Sequence, residues 1–229
     1  METIDWFKFE DKKLDFPFYK KNPHIPKWGW IVLFIVLPIG LLFAMSTELH
    51  FVILSCIVLI VPVLYFLKWD YKAIFQKPTL KEIGLAVALF VGYIIYSLAM
   101  TIVLENFGIV SSGLLEDGSI TLMTMVTSIF SIMGEEFVKF IPFIFFLRLF
   151  FKFTENRKLS VIVSVLLVMA FYATLHAYNF KMFIFALFIQ GFGSIFEYIG
   201  YIKTKNILIS YITHLCTDMF IFSIALLGF

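Results

Sequence analysis

Seven ionisable side chains stand where a lipid bilayer would least tolerate them. Glu135, Glu136, Lys139, His176, Glu197, His214 and Asp218 all fall within or beside long apolar runs. A charge at the bilayer centre costs about 2.5–3.5 kcal/mol on insertion scales, so such groups face a polar interior and do work there, or neutralise one another. Adjacent helical residues project about 100° apart, so Glu135 and Glu136 cannot aim at one spot. Lys139 follows Glu135 by four residues and Glu136 by three, within reach of either. One carboxylate can pair with Lys139 while the other faces a cavity and accepts a proton. His214 and Asp218, spaced i and i+4, share a helix face, and Asp218 can hold the His214 ring and favour its cation. His176 closes the run Phe171-Tyr172-Ala173-Thr174-Leu175-His176. Glu197 has two readings: contact with headgroup water at a membrane edge, or charge partner for one of the histidines.

Acid and imidazole in a membrane interior are equipment for activating water against a peptide bond. Other intramembrane protease signatures are missing. The sequence has no His-Glu-x-x-His zinc pair, no Gly-x-Gly-Asp, and no serine in a nucleophile elbow with a plausible base.

The elements that must position these groups follow from composition. Of 229 residues, 61% are apolar and 15% charged, with 30 Phe and a mean hydropathy of +0.96. Soluble domains average about 45–50% apolar and about 25% charged. A soluble enzyme, a disulfide scaffold, a disordered tail and a nucleic-acid binder are thereby excluded. The net charge of +2 is spread over loops, with no basic stripe for phosphates. Cys56 and Cys216 both lie in apolar segments and read as buried apolar residues. Residues 1–27 are charged and mixed, without the pattern of a cleavable signal peptide, and form a cytoplasmic juxtamembrane segment. Residues 28–229 form the transmembrane domain.

About 20 apolar residues cross a bilayer core. Seven candidate spans result: 28–45, 51–67, 83–103, 120–147, 159–178, 182–202 and 207–229. Charges and Pro142 interrupt the fourth, which is one tilted helix or two pieces, giving eight. The expected fold is therefore an all-α, polytopic transmembrane bundle of seven, possibly eight, helices enclosing an intramembrane polar cavity. Lysine and arginine alternate between loops: many before the first span, none in 46–50, then Lys68, Lys72, Lys77 and Lys81. None surrounds Glu105, Glu116 and Asp117, and Arg148, Lys152, Arg157 and Lys158 follow. Lys181 stands alone, and Lys203 and Lys205 precede the last span. The alternation places the N-terminus in the cytoplasm and the C-terminus outside. Trp28, Trp30 and Trp69 lie at the cytoplasmic edge as an aromatic belt would. The motif Phe16-Pro17-Phe18-Tyr19 and the stretch from Pro23 to Pro26 fit a segment along the membrane surface or an ordinary linker. Gly191, Gly193 and Gly200 allow close helix packing.

At these residues the sequence resembles the CPBP family, also called Abi: Rce1-type intramembrane glutamate proteases that include CAAX proteases and bacteriocin-processing enzymes. Its motifs are Glu-Glu-x-x-x-Arg, Phe-x-x-x-His and His-x-x-x-Asn or Asp. Glu135-Glu136, His176 and His214-x-x-x-Asp218 occur here in that order on separate spans. The run from Gly200 through Asn206 to His214 is also similar, and the resemblance covers about 83–225. The family's arginine position is Phe140 here, and the cation is Lys139, as in the related PrsW-type Glu-Glu-x-x-Lys proteases. Tyr172 stands where Phe is expected, and Asp218 replaces the commoner Asn.

The resemblance implies a metal-independent endopeptidase without cofactors. Glu135, helped by His176, deprotonates a water that attacks the scissile carbonyl. His214, supported by Asp218, stabilises the oxyanion, while Glu136 and Lys139 set the electrostatics. The substrate is a peptide or small membrane-associated protein: a bacteriocin, a signalling peptide or a prenyl-type peptide. Arginine occurs only at 148 and 157 among many lysines, as in AT-rich bacterial genomes, and the location is a bacterial cell membrane. Rival readings are a non-catalytic immunity or regulatory protein with the same fold, a proton-coupled transporter, and a metal site of Glu135, His176 and His214. Depth sets a condition on the site. His176 lies about 17 residues into its span and His214 about 7, a difference near 15 Å at about 1.5 Å per residue.

Overall fold

A computed structural model of the chain describes residues 25–109 and 120–227. The surface-segment motif at 16–19, most of the expected juxtamembrane segment, Glu116 and Asp117 lie outside the described residues. Seven long helical segments follow one another: α1 (Lys27–Ala44), α2 (Leu49–Phe66), α3 (Leu80–Asn106), α4 (Leu122–Thr154), α5 (Arg157–Leu175), α6 (Phe180–Thr204) and α7 (Ile207–Leu226). Among the described residues there is no strand. Six of the seven are long and apolar enough to cross a membrane, the exception being α4. The protein is thus an all-α, multi-pass membrane protein. Its outer surface carries large apolar side chains such as Ile31, Ile95, Leu98, Ile102 and Leu166. Apolar area so extensive suits lipid contact rather than water.

Local chemistry starts each helix. Thr79 and Glu82 form a reciprocal capping box on α3, and Thr121 and Thr124 do the same on α4. Asn156, Asn179 and Asn206 cap α5, α6 and α7 through their side-chain oxygens. Such caps satisfy backbone N–H groups that have no partner inside the helix, each worth about 1 kcal/mol. Glu155 and Lys205 end α4 and α6 in the left-handed conformation, at φ 51° and 56°.

The helix richest in charge takes the centre. α4 packs against α1, α2, α5 and α7, and every residue from 136 to 144 is buried. Its central charges, Glu136 and Lys139, therefore face protein, while Lys152 near its end is exposed. Small residues let α2 approach it. Ser55 Oγ donates to Gly40 O of α1 at 2.8 Å, and a Cβ on Gly134 would meet the same Oγ at 3.2 Å. Cys56 Sγ lies 2.9 Å from Phe130 O.

Of the two readings of the fourth segment, one helix or two pieces, the structure has the single helix. Pro142 is accommodated in one continuous helix, because a proline removes only one donor and the tight neighbours hold the rest. The break falls in α6 instead, where Leu187–Gly191 forms a wide π-turn and Phe192–Ser194 a tight one. Tyr96 of α3 donates its hydroxyl to Phe188 O at 2.7 Å. Gly193 and Gly92 lie against Tyr93 and Phe196, where a Cβ would come within 2.5 and 2.8 Å of the rings. The extra residue of a π-turn resets the helical phase just ahead of Glu197.

A polar clamp ties the loop between α2 and α3 to the turn between α6 and α7. Asn206 Nδ2 donates to Gln76 O at 2.8 Å, Gln76 N donates to Asn206 Oδ1 at 3.1 Å, and Ile207 N donates to Ile74 O at 2.9 Å. Replacing Asn206 by Ala removes the cap and both side-chain bonds. The expected loss is about 2–3 kcal/mol, read as a lower unfolding midpoint in detergent; an unchanged midpoint would show that the clamp contributes nothing.

Candidate functional site

Four helices converge on Lys139. Its ammonium ion-pairs with Glu136 Oε1 at 2.5 Å, one turn earlier on α4, and with Glu197 Oε2 from α6. His214 of α7 places Nδ1 2.9 Å from Glu136 Oε1, 3.3 Å from Lys139 Nζ and 4.0 Å from Glu197 Oε1. Ser210, one turn before His214, donates its hydroxyl to Glu136 Oε2. All five residues are buried. Two carboxylates face one ammonium and one imidazole, so the cluster is neutral when the imidazole carries its second proton. Buried charges persist only when paired, and each charge of this inner tier finds its counter-charge within the tier.

A second tier lies beside it. Glu135, half-buried, accepts a hydrogen bond from the Tyr172 hydroxyl of α5 at 2.5 Å. Lys139 Nζ stands 5.0 Å from the centre of the Tyr172 ring, a cation–π distance, so Tyr172 touches both tiers. Asp218 reaches toward His214 Nε2 at 3.7 Å, an electrostatic contact too long for a hydrogen bond, and keeps 28% of its side chain exposed. The two ring nitrogens of His214 thus look different ways, Nδ1 into the inner tier and Nε2 toward the more open one.

His176 caps the C-terminal end of α5. Its ring meets Tyr172 edge to face with centroids 4.6 Å apart, and Nδ1 lies 3.1 Å from Tyr172 O. Among the described residues it makes no hydrogen bond or ion pair with Glu135 or His214. The depth difference between the two histidines explains this. Tyr172, one turn deeper than His176, makes the reach to Glu135 instead.

Glu136, Glu197 and His214 also offer ligand atoms within 4.8 Å of one another, a group that could hold a metal ion. It is not the trio Glu135, His176 and His214. Lys139 Nζ sits among the three, bonded to both carboxylates, and supplies the positive charge that a metal would bring.

The sequence-picked residues Glu135, Glu136, Lys139, Tyr172, Glu197, His214 and Asp218 are therefore neighbours, with His176 attached through Tyr172. Of the two readings of Glu197, contact with headgroup water gives way to burial, and its main partner is Lys139 rather than a histidine. Ser210 was not anticipated. Its signal was there, since Ser210, His214 and Asp218 form a polar stripe at i, i+4, i+8 on an apolar helix. Tyr198, buried beside the cluster, carries no such signal. No family model, curated protein or solved structure matches the chain.

The two tiers should separate on substitution. Lys139→Ala strands two buried carboxylates and is expected to cost about 3–5 kcal/mol. Glu135→Gln keeps an oxygen for the Tyr172 hydroxyl and should stay within about 1 kcal/mol. Thermal unfolding of purified protein ranks the two; equal losses would refute the division. Zinc should raise the midpoint of Lys139→Ala and leave the natural protein unchanged, because only the variant frees the ligand group for a tetrahedral ion.

Proposed function

We propose that the chain is an intramembrane endopeptidase of the glutamate type, a CPBP-like enzyme that cleaves a peptide or small membrane-associated protein by activating water. The observation that carries this reading is convergence. Glu135 and Glu136 of α4, Tyr172 of α5, and His214 and Asp218 of α7 come from three separate helices, yet they meet in one place, with His176 attached through Tyr172. Structural ion pairing alone accounts for the inner tier, but it gives no reason for a second, half-buried carboxylate next to it.

Glu135 is the general base in this reading. Tyr172 holds one of its oxygens, and the other, Oε1, has no hydrogen bond among the described residues and is free to take a proton from water. A positioned base of this kind contributes about 10²–10⁴ in rate. His214 Nε2, held from behind by Glu136 at Nδ1, stabilises the oxyanion, a donor worth about 10²–10³. Asp218 orients that ring. Glu136, Lys139 and Glu197 fix His214 in place. His176 acts through Tyr172 and meets the water only when substrate widens the site into a polar cavity. The reaction needs no metal or cofactor in this scheme.

The reading also takes all seven helices as spans in a bacterial cell membrane, with the N-terminus in the cytoplasm and the C-terminus outside. The alternation of lysine-rich and lysine-free loops supports it. The central charges of α4 are no obstacle, because its neighbours bury Glu136 and Lys139. A C-terminal alkaline phosphatase fusion should be active and a C-terminal fluorescent cytoplasmic reporter dark; the reverse would mean an even number of crossings.

A non-catalytic immunity or regulatory protein is the second reading. The self-contained inner tier and the backbone-bound His176 ring favour it. Comparative peptidomics of cells carrying natural protein or Glu135→Gln at equal expression decides between them. An uncleaved precursor should accumulate in the variant; an unchanged peptide profile with full retention of cellular function would leave the non-catalytic reading.

A further inference from the structure

The inner tier has unfilled hydrogen-bonding capacity around a small void. Tyr198 is 5% exposed, and its hydroxyl has no hydrogen-bond partner among the described residues. It lines a pocket shared with Glu136, Lys139, Glu197 and Ser210 that leaves about 10 Å³ for the centre of a water molecule. One water needs about 10–15 Å³ measured this way, and two to four polar partners.

The partners are on hand. Glu197 Oε2 is taken by Lys139, while among the described residues its Oε1 has only the 4.0 Å approach of His214. Lys139 has three N–H donors. Two serve Glu136 and Glu197. The third cannot bond His214 Nδ1 when that nitrogen donates to Glu136 Oε1 at 2.9 Å. One donor, one carboxylate oxygen and one phenol hydroxyl thus remain around the same void.

We infer that a single ordered water is a resident member of the buried cluster, bound by Tyr198 Oη, Lys139 Nζ and Glu197 Oε1. It accepts from the ammonium and donates to the carboxylate, and its remaining bond goes to the phenol. It is distinct from the water that Glu135 would activate, which lies on the other tier. The site does not depend on the chain being a hydrolase, since the same bonds are needed for any role of the cluster.

Tyr198→Phe separates a wet site from a dry one. An unpartnered buried hydroxyl is a liability, so its removal from a dry site leaves stability unchanged or raises it. Removal from a wet site takes away one of the water's partners. The expected result is an unfolding midpoint lower by about 2–4 °C. A density peak within hydrogen-bond distance of Lys139 and Glu197 should stand in the natural protein, crystallised from lipid at high resolution, and be weakened or lost in Tyr198→Phe. No peak in the natural protein, or a variant midpoint equal or higher, overturns the inference. If the variant cannot be purified folded, the natural protein's density alone decides.

Discussion

Burying the Lys139 ammonium is the constraint around which the molecule is organised. Taking one such ion out of water costs several kcal/mol even after relaxation. The cost is offset only where carboxylates meet it in good geometry. Glu136 comes from the same helix, one turn away, and needs only the helical repeat. Glu197 comes from α6 and must be delivered by tertiary structure. His214 and Ser210 complete the Glu136 carboxylate from α7. Any arrangement that separated α4, α6 and α7 would leave a charge unpaired in a medium that cannot solvate it. The polar cluster thus fixes which helices adjoin, something that the nearly uniform apolar surfaces cannot do. In lipid, helices gain little from burying one apolar face rather than another.

Much of the remaining architecture serves that delivery. α4 is enclosed by α1, α2, α5 and α7, so Glu136 and Lys139 are buried away from lipid. Gly40, Ser55 and Gly134 bring α1, α2 and α4 close just ahead of the Glu135-Glu136 pair. The wide turn in α6 resets the phase of its last three turns, and Glu197 then faces inward with Tyr198 and Tyr201. The Asn206 clamp sets where α7 begins, and therefore the height of Ser210 and His214 against Glu136. A register error of one residue there would rotate His214 by about 100°.

The sequence made the helices legible because a bilayer imposes a length and a composition on them. The α4 charges, the i, i+4 pair of His214 and Asp218, and the reach of Lys139 to Glu136 followed from one repeat. Which carboxylate took Lys139 was not legible, since i+3 and i+4 are both within reach. Packing against α6 and α7 settled it for Glu136, and left Glu135 to Tyr172. The break in α6 was hidden because glycines in an apolar run read equally well as packing sites. Whether Pro142 divides the fourth segment was left open by the sequence, because a shielded helix tolerates the loss of one donor. The position of Glu197 was ambiguous because depth along a tilted, irregular helix cannot be counted at a constant rise.

The placement of the cation answers to the acceptors around it. An arginine at the Phe140 position would leave α4 about 100° away from the Lys139 direction, toward Tyr201, whose ring meets Phe140 edge to face at 5.3 Å. A planar guanidinium is suited to a flat, two-oxygen partner. The site built here is different. Its acceptors come from different directions, Glu136 on α4 and Glu197 on α6, and a compact ammonium with three donors matches that geometry. Lysine at 139 and an aromatic at 140 then act as one coupled solution. The ammonium occupies the focus of the carboxylates, and the ring seals the side from which an arginine would have approached.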